Sequence, residues 1–163
     1  PLNFIESAYL VKKKYNNVDF HLIGSGNLEY KCREKIEKLG MSDYFKLYTN
    51  INQGHLVSNF FDIAVLSSRN EAFPNVLLEY MFWGKPCVVT DVGDCPIIIE
   101  QDVSGKIVAR KNSREMANAI LYLLSLDNKR LIKMGKASKE KLIKNYSMDI
   151  YVTNTFNVYK KIL

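Results

Sequence analysis

Val18-Asp19-Phe20-His21-Leu22-Ile23-Gly24-Ser25-Gly26 runs a short apolar segment into a glycine turn, and residues 28 to 39 then carry apolar positions at helical spacing up to Gly40. A β-branched and aromatic run that stops at glycine reads as a buried strand, and a helical period closed by glycine reads as a helix with its C-cap. The unit is strand, glycine turn, helix. Working outward, Leu2, Ile5, Tyr9 and Leu10 have helical spacing and end at the Asn16-Asn17 breaker. Beyond Gly40 the unit recurs. Residues 45 to 48 and 62 to 66 read as short buried strands, 54 to 60 as a short helix, 74 to 83 as a helix ended by Gly84, and Cys87-Val88-Val89-Thr90 as another strand. A brief strand at Ile107-Val108 precedes three helices, at 113 to 125, 127 to 145 and 147 to 162, the last capped by Ser147. Short apolar strands alternating with helices predict an α/β fold, a doubly wound parallel sheet with a helical C-terminal end. Without internal repeats, residues 1 to 163 read as one domain.

Composition agrees: of 163 residues 47% are apolar and 25% charged, which excludes a disordered, collagenous or disulfide-stapled chain. Apolar runs such as Ile97-Ile98-Ile99 fall far short of the ~20 residues a bilayer crossing needs. Cys32, Cys87 and Cys95 match no zinc or CxxC spacing and read as free thiols in a reducing cytoplasm. The first residue is Pro1, with neither an initiator methionine nor a signal-peptide pattern, so the expectation is a piece of a longer chain.

Charge is uneven. Residues 1 to 105 hold 10 basic and 13 acidic side chains, and residues 106 to 163 hold 13 basic and 4 acidic. Lysines at 129, 133, 136, 139, 141 and 144 interleave with apolar residues, as on a helix with a solvated cationic face. The functional alternative is peripheral contact of basic residues 106–163 with an anionic membrane. Nucleic acid is not expected, because no recognition motif accompanies the charge.

Ligands of an open parallel sheet bind beyond the carboxyl ends of its strands. Gly24 and Gly26 lie in one such loop and let a bound group come close to the backbone. A second loop, Ser67-Ser68-Arg69-Asn70-Glu71-Ala72-Phe73-Pro74-Asn75-Val76-Leu77-Leu78-Glu79, carries more chemistry. With Pro74 in the first helical turn, the amides of Asn75, Val76 and Leu77 are free donors at the positive end of a helix, a ready phosphate site. Glu71 precedes that helix and Glu79 lies within it. Carboxylates repel a bare phosphate but accept from hydroxyls, so this pair fits a ligand carrying both, and a nucleotide sugar has that layout. Read singly, Glu71 is a charge at a helix N-terminus and Glu79 a surface residue.

Taken together the segment resembles the E-x7-E signature of retaining GT-B glycosyltransferases, in particular glycosyltransferase family 4, also called group 1. The likeness extends through Phe20 to Gly26, Asp62 to Ser68, Gly84-Lys85-Pro86-Cys87-Val88-Val89-Thr90-Asp91-Val92-Gly93, Ser104 to Val108 and the closing Tyr146-Ser147-Met148 helix. It implies the Rossmann-like, donor-binding half of such an enzyme. That places Glu71 against the transferred sugar as the catalytic residue and Glu79 on the ribose. Phe73, Pro74, Asn75, Val76 and Leu77 would surround the diphosphate, with Gly24 and Gly26 beside the nucleotide and Tyr48 near the base.

The resemblance further implies a nucleotide-diphosphate sugar as donor, no required metal and no other cofactor. It implies a glycan or lipid-linked acceptor held by an N-terminal domain, and transfer with retention in polysaccharide, lipopolysaccharide or related synthesis. The location would be cytoplasmic, peripheral at the inner face of the plasma membrane. The acceptor domain and a first strand-loop carrying an arginine and a lysine for the phosphates would lie outside this chain, leaving it without appreciable turnover alone. Ala72, Ser67 and Thr49 depart from the family pattern, Pro96-Ile97 stands where Pro-Glu is typical, and Tyr80-Met81-Phe82-Trp83 replaces a run of smaller residues. His21 and His55 read as structural. Three readings compete: a nucleotide-sugar epimerase of the same architecture, a noncatalytic GT-B-like binding module, and a receiver or flavodoxin-like domain. The last lacks an acidic phosphorylation cluster or flavin loop.

Overall fold

A computed structural model describes residues 1–49, 51 and 57–162. The chain runs α1 (Leu2–Lys12), β1 (Phe20–Ile23), α2 (Glu29–Lys38), β2 (Phe45–Tyr48), a 3-10 turn (Ser58–Phe60), β3 (Ala64–Leu66), α3 (Asn75–Phe82), β4 (Cys87–Thr90), α4 (Cys95–Ile98), β5 (Gly105–Val108), α5 (Ser113–Leu124), α6 (Asn128–Tyr146) and α7 (Met148–Ile162). The α/β alternation expected from the sequence is present. His55 and residues 54–56 of the short helix expected at 54 to 60 lie outside the described residues, and the remainder contains the 3-10 turn at Ser58–Phe60.

All strand pairs are parallel. The sheet is in two pieces, however: β1 pairs with β2, and β3, β4 and β5 form a separate row with β4 in the middle. β1 and β3 share no hydrogen bonds, so the single doubly wound sheet expected from the sequence is interrupted between them.

Two apolar layers cover the strands. One gathers Phe4, Ile5 and Val11 of α1 with Phe20, Phe45 and the inner face of α5, where three phenylalanine rings meet at centroid distances of 5.5–6.2 Å. The other gathers Leu77 and Met81 of α3 with Ala64, Cys95 and Ile98. The fully buried strand β4 divides its side chains between them, Val88 to the first and Cys87 and Val89 to the second. Successive strand residues face opposite sides of a sheet, so a strand covered on both faces is a near-continuous apolar run, and the one buried hydroxyl of β4, on Thr90, has a hydrogen-bond acceptor.

Local signals set the helix ends. Asn112 caps α5, accepting from the Glu115 amide at 3.0 Å, while the Glu115 carboxylate accepts from the Asn112 side chain and from the Ala109 amide. Asp127 caps α6 by accepting from the Arg130 amide at 2.8 Å. Gly84, at φ +63°, ends the turn after α3, a conformation that costs a residue with a Cβ. Helix α4 was not anticipated, because four residues with a proline at the start carry too little period to read.

Candidate active site

The loop from β3 to α3 is fastened by the end of β4. Thr90, fully buried, donates its hydroxyl to the Ser68 carbonyl at 2.7 Å, and the Asp94 amide donates to the Ala72 carbonyl at 2.9 Å. Gly93, at φ +50°, lies so close that an added Cβ would overlap the Glu71 and Ala72 carbonyl oxygens. Within this frame the Ser68 hydroxyl donates to the Glu71 carboxylate at 2.6 Å. A charge-assisted bond of this length fixes a carboxylate that would otherwise rotate freely. None of Ser68, Thr90, Gly93 and Asp94 was picked out as a functional residue in the sequence. Only Ser68, three residues before Glu71, had a local signal.

At the start of α3 the expectation needs correction. Pro74 is the N-cap, at φ −78° and ψ 105°, and the helix begins at Asn75. The Leu77 amide is not a free donor: it donates to the Pro74 carbonyl at 3.0 Å, and the Leu77 side chain is buried in the core. A tightened first turn consumes that N–H, leaving Asn75 and Val76 as the amides without an intrahelical acceptor.

A cleft opens at the carboxyl ends of β1 and β3. One part, about 780 Å³, is lined by Gly24, Ser25 and Gly26 on one side and by Ser68, Arg69 and Asn70 on the other. An added Cβ at Gly24 or Gly26 would meet nothing within 4 Å, so both glycines face open space. Lys31 and Arg69 line this part and give it positive charge, a contribution that sequence reasoning passed over. The adjoining part, about 800 Å³, is lined by Glu79, Tyr80, Val76 and Ser67. Burial pushes the Tyr80 phenol well above its ordinary range, so it stays a neutral donor beside Glu79.

The candidate residues divide. Gly24, Gly26, Val76 and Glu79 line the cleft. Glu71, half-buried, lines neither part but is tied to Ser68, which lines one, and Pro74, Asn75 and Leu77 also line neither. Phe73 instead packs against Tyr146 of α6 with ring centroids 5.7 Å apart. Tyr48 lines neither part of the cleft; it stacks on His21, with its hydroxyl 3.3 Å from the His21 Nδ1, and its carbonyl accepts from the Gly24 amide at 3.0 Å. Ile97, at the Pro-Glu departure, is 65% exposed. Among the described residues, no group of three or more His, Cys, Asp or Glu could hold a metal ion.

Comparison with known proteins points one way. The profile of the family described as glycosyl transferases group 1 matches residues 1–141. A poly(ribitol-phosphate) alpha-N-acetylglucosaminyltransferase of Staphylococcus aureus is 30% identical over 95% of this chain and 31% of its own length. An N,N'-diacetylbacillosaminyl-diphospho-undecaprenol alpha-1,3-N-acetylgalactosaminyltransferase of Campylobacter jejuni is 29% identical over 98% and 41%. The chain thus spans between about a third and two fifths of the length of these curated relatives. Among solved structures, an S. aureus TarM mutant in complex with fondaparinux, alpha-GlcNAc-glycerol and UDP superposes with a TM-score of 0.86 at 25% identity, covering 96% of this chain and 32% of that one. The C-terminal domain of a group 1 family glycosyl transferase from Francisella tularensis shares the fold, with a TM-score of 0.80 at 24% identity over 90% of this chain and 79% of that one.

Proposed function

The chain belongs to the group 1 glycosyl transferases, and from that premise we propose that it is the donor-binding half of an enzyme moving a sugar, with retention, from a nucleotide-diphosphate sugar to a glycan or lipid-linked acceptor. One observation carries the reading: the glycine turn after β1 and the loop after β3 line one pocket at the carboxyl ends of the strands, and Glu79 of α3 lines the adjoining pocket, which shares Ser67, Val76 and Tyr80 with it. Relatives solved with UDP support the nucleotide as the ligand class.

The hard step is departure of the nucleoside diphosphate while positive charge builds on the sugar ring. In this reading the diphosphate lies against the Asn75 and Val76 amides, with the cation of Arg69 at the same rim. Donors preorganised toward developing charge lower such a barrier by about 3 kcal/mol each. Glu71, held by Ser68, faces the sugar, and Glu79 accepts from ribose hydroxyls. The acceptor is held by another part of the protein, the isolated chain turns over poorly, and no divalent metal takes part.

Calorimetric titration of the intact protein with nucleotide-diphosphate sugars tests the reading. Binding is expected, and Glu79→Ala should weaken it about tenfold, the loss of one or two hydrogen bonds to a charged acceptor. Failure of every donor to bind, or unchanged affinity in the variant, would overturn the site. An inverted anomeric product would overturn retention.

We further place the protein in the cytoplasm, peripheral at the inner face of the plasma membrane, with the exposed lysines of α6 toward anionic lipid. Each such lysine contributes ~1 kcal/mol near an anionic surface. Cosedimentation with phosphatidylserine vesicles should then vanish at high salt. Retention in high salt would argue against this electrostatic contact.

A further inference from the structure

Strand β4 is buried along its whole length and reads Cys87-Val88-Val89-Thr90, so its last residue brings a hydroxyl into the interior. Valine has the same branched shape and would fill the same space with no polar atom to satisfy. Burying a hydroxyl is costly unless it is hydrogen-bonded, so packing alone gives no reason for threonine here. The reason lies in what the hydroxyl touches. It donates to the Ser68 carbonyl at 2.7 Å, with the Leu66 carbonyl farther off at 3.4 Å, and a hydroxyl has one hydrogen to give.

Ser68 lies past the reach of the sheet. The ladder between β3 and β4 ends with Leu66 opposite Val89, and Thr90 extends the grip by two residues with its side chain. A second anchor follows from the same strand end, where the Asp94 amide donates to the Ala72 carbonyl at 2.9 Å. The two anchors fall on Ser68 and Ala72, and Glu71 stands between them. Inside this bracket the Ser68 hydroxyl donates to the Glu71 carboxylate at 2.6 Å. Contacts therefore run from the Thr90 hydroxyl to the Ser68 backbone, and from the Ser68 hydroxyl to the acid. They join a fully buried strand to a half-buried carboxylate.

The anchors differ in what they ask of the sequence. Asp94 binds through its backbone amide, which any residue except proline would supply, whereas the grip on Ser68 needs a side-chain donor at position 90. A shift of the Ser68 backbone carries its side chain with it, and the direction in which Glu71 is held turns accordingly. We infer that Thr90 is a positioning residue for sugar transfer: by holding the Ser68 backbone it sets the direction in which the Ser68 hydroxyl presents Glu71 to the sugar. The effect on turnover rests on the sugar-transfer reading, and the coupling from Thr90 to Glu71 does not. Thr90 lines neither part of the cleft, so it acts on the presentation of the acid and not on the hold on the donor.

Steady-state kinetics of the intact enzyme tests the inference. Thr90→Val removes the hydroxyl at constant shape and should lower kcat about three- to tenfold, with donor KM within about twofold. Thr90→Ser keeps the hydroxyl and deletes a buried methyl, and should return kcat to within about twofold of the unsubstituted enzyme. A purely structural role would penalise serine, which leaves a void, at least as much as valine, so a serine variant no faster than the valine variant overturns the inference. Because the route runs through Ser68, adding Thr90→Val to Ser68→Ala should change kcat by less than about twofold, and the same loss in both backgrounds would overturn that route. The carbon-13 resonance of the Glu71 carboxyl group, recorded with no donor present, needs no turnover. Thr90→Val should move it and Thr90→Ser should leave it in place, and a resonance unmoved by valine overturns the coupling. A resonance that moves as expected in a protein that binds no nucleotide sugar would uphold the coupling and refute the sugar-transfer reading instead.

Discussion

At the scale of single residues, the Ser68–Glu71 contact governs how the proposed catalytic carboxylate is presented. A hydrogen bond to a charged group is worth about 1.5–3 kcal/mol, so losing it lets the carboxylate turn away from the sugar. Ser68→Ala in the intact enzyme should lower kcat by about tenfold or more while leaving donor KM within about twofold, since Ser68 orients rather than binds. Steady-state kinetics with a saturating acceptor reads this split, and a change confined to KM would reassign Ser68 to donor binding. Glu71 and Glu79 were legible in the sequence because carboxylates flanking a helix start are a local pattern. The Ser68 bond and the Thr90 and Asp94 anchors were not, because β4 approaches the loop only in the folded chain. Leu77 shows the opposite limit. Its position made it a candidate donor, but the first turn of α3 tightened onto Pro74 and its side chain went to the core.

Elements were legible where their period was long or their caps chemical. The strand-turn-helix unit at residues 18 to 39 and the capped helices α5 and α6 lie within a few residues of expectation. Packing between elements was not legible. Gly135 sits inside α6, where glycine normally weakens a helix, yet its α-carbon abuts the Gly84 carbonyl at the end of α3. Replacing it with alanine gains about 1 kcal/mol of helix propensity. The added Cβ overlaps backbone that cannot swing aside, and forcing two helices apart costs about 1–3 kcal/mol or more. The second effect wins, so Gly135→Ala should lower the urea midpoint with an unchanged slope. A raised midpoint would show that α3 and α6 separate freely. The same contact bears on the site, because α3 carries Glu79.

At the scale of the molecule, the alternation of short apolar strands with helices identified the fold class but not which strands pair, since a parallel strand is recognised by neighbours distant in sequence. The buried thiols expose a further property of the whole chain. Cys95 is fully buried, and burial, with the carboxylates of Glu71, Asp94 and Asp91 adding to it, pushes its thiol up to about 11 from an ordinary 9.0. Burial raises Cys87 and Tyr80 in the same direction. A group harder to ionise when folded loses its proton first in the unfolded chain, so above the ordinary pKa the unfolded state binds fewer protons and stability falls as pH rises. For Cys95 this contribution is fully present below pH 9 and is lost on the way to 11. Cys95→Ala removes the titrating group. It lowers stability at every pH by the packing it deletes, but it should flatten the decline between pH 9 and 11. Urea midpoints of both proteins across that interval decide the matter, and parallel curves would mean that the Cys95 thiol ionises in the folded protein as readily as in the unfolded chain.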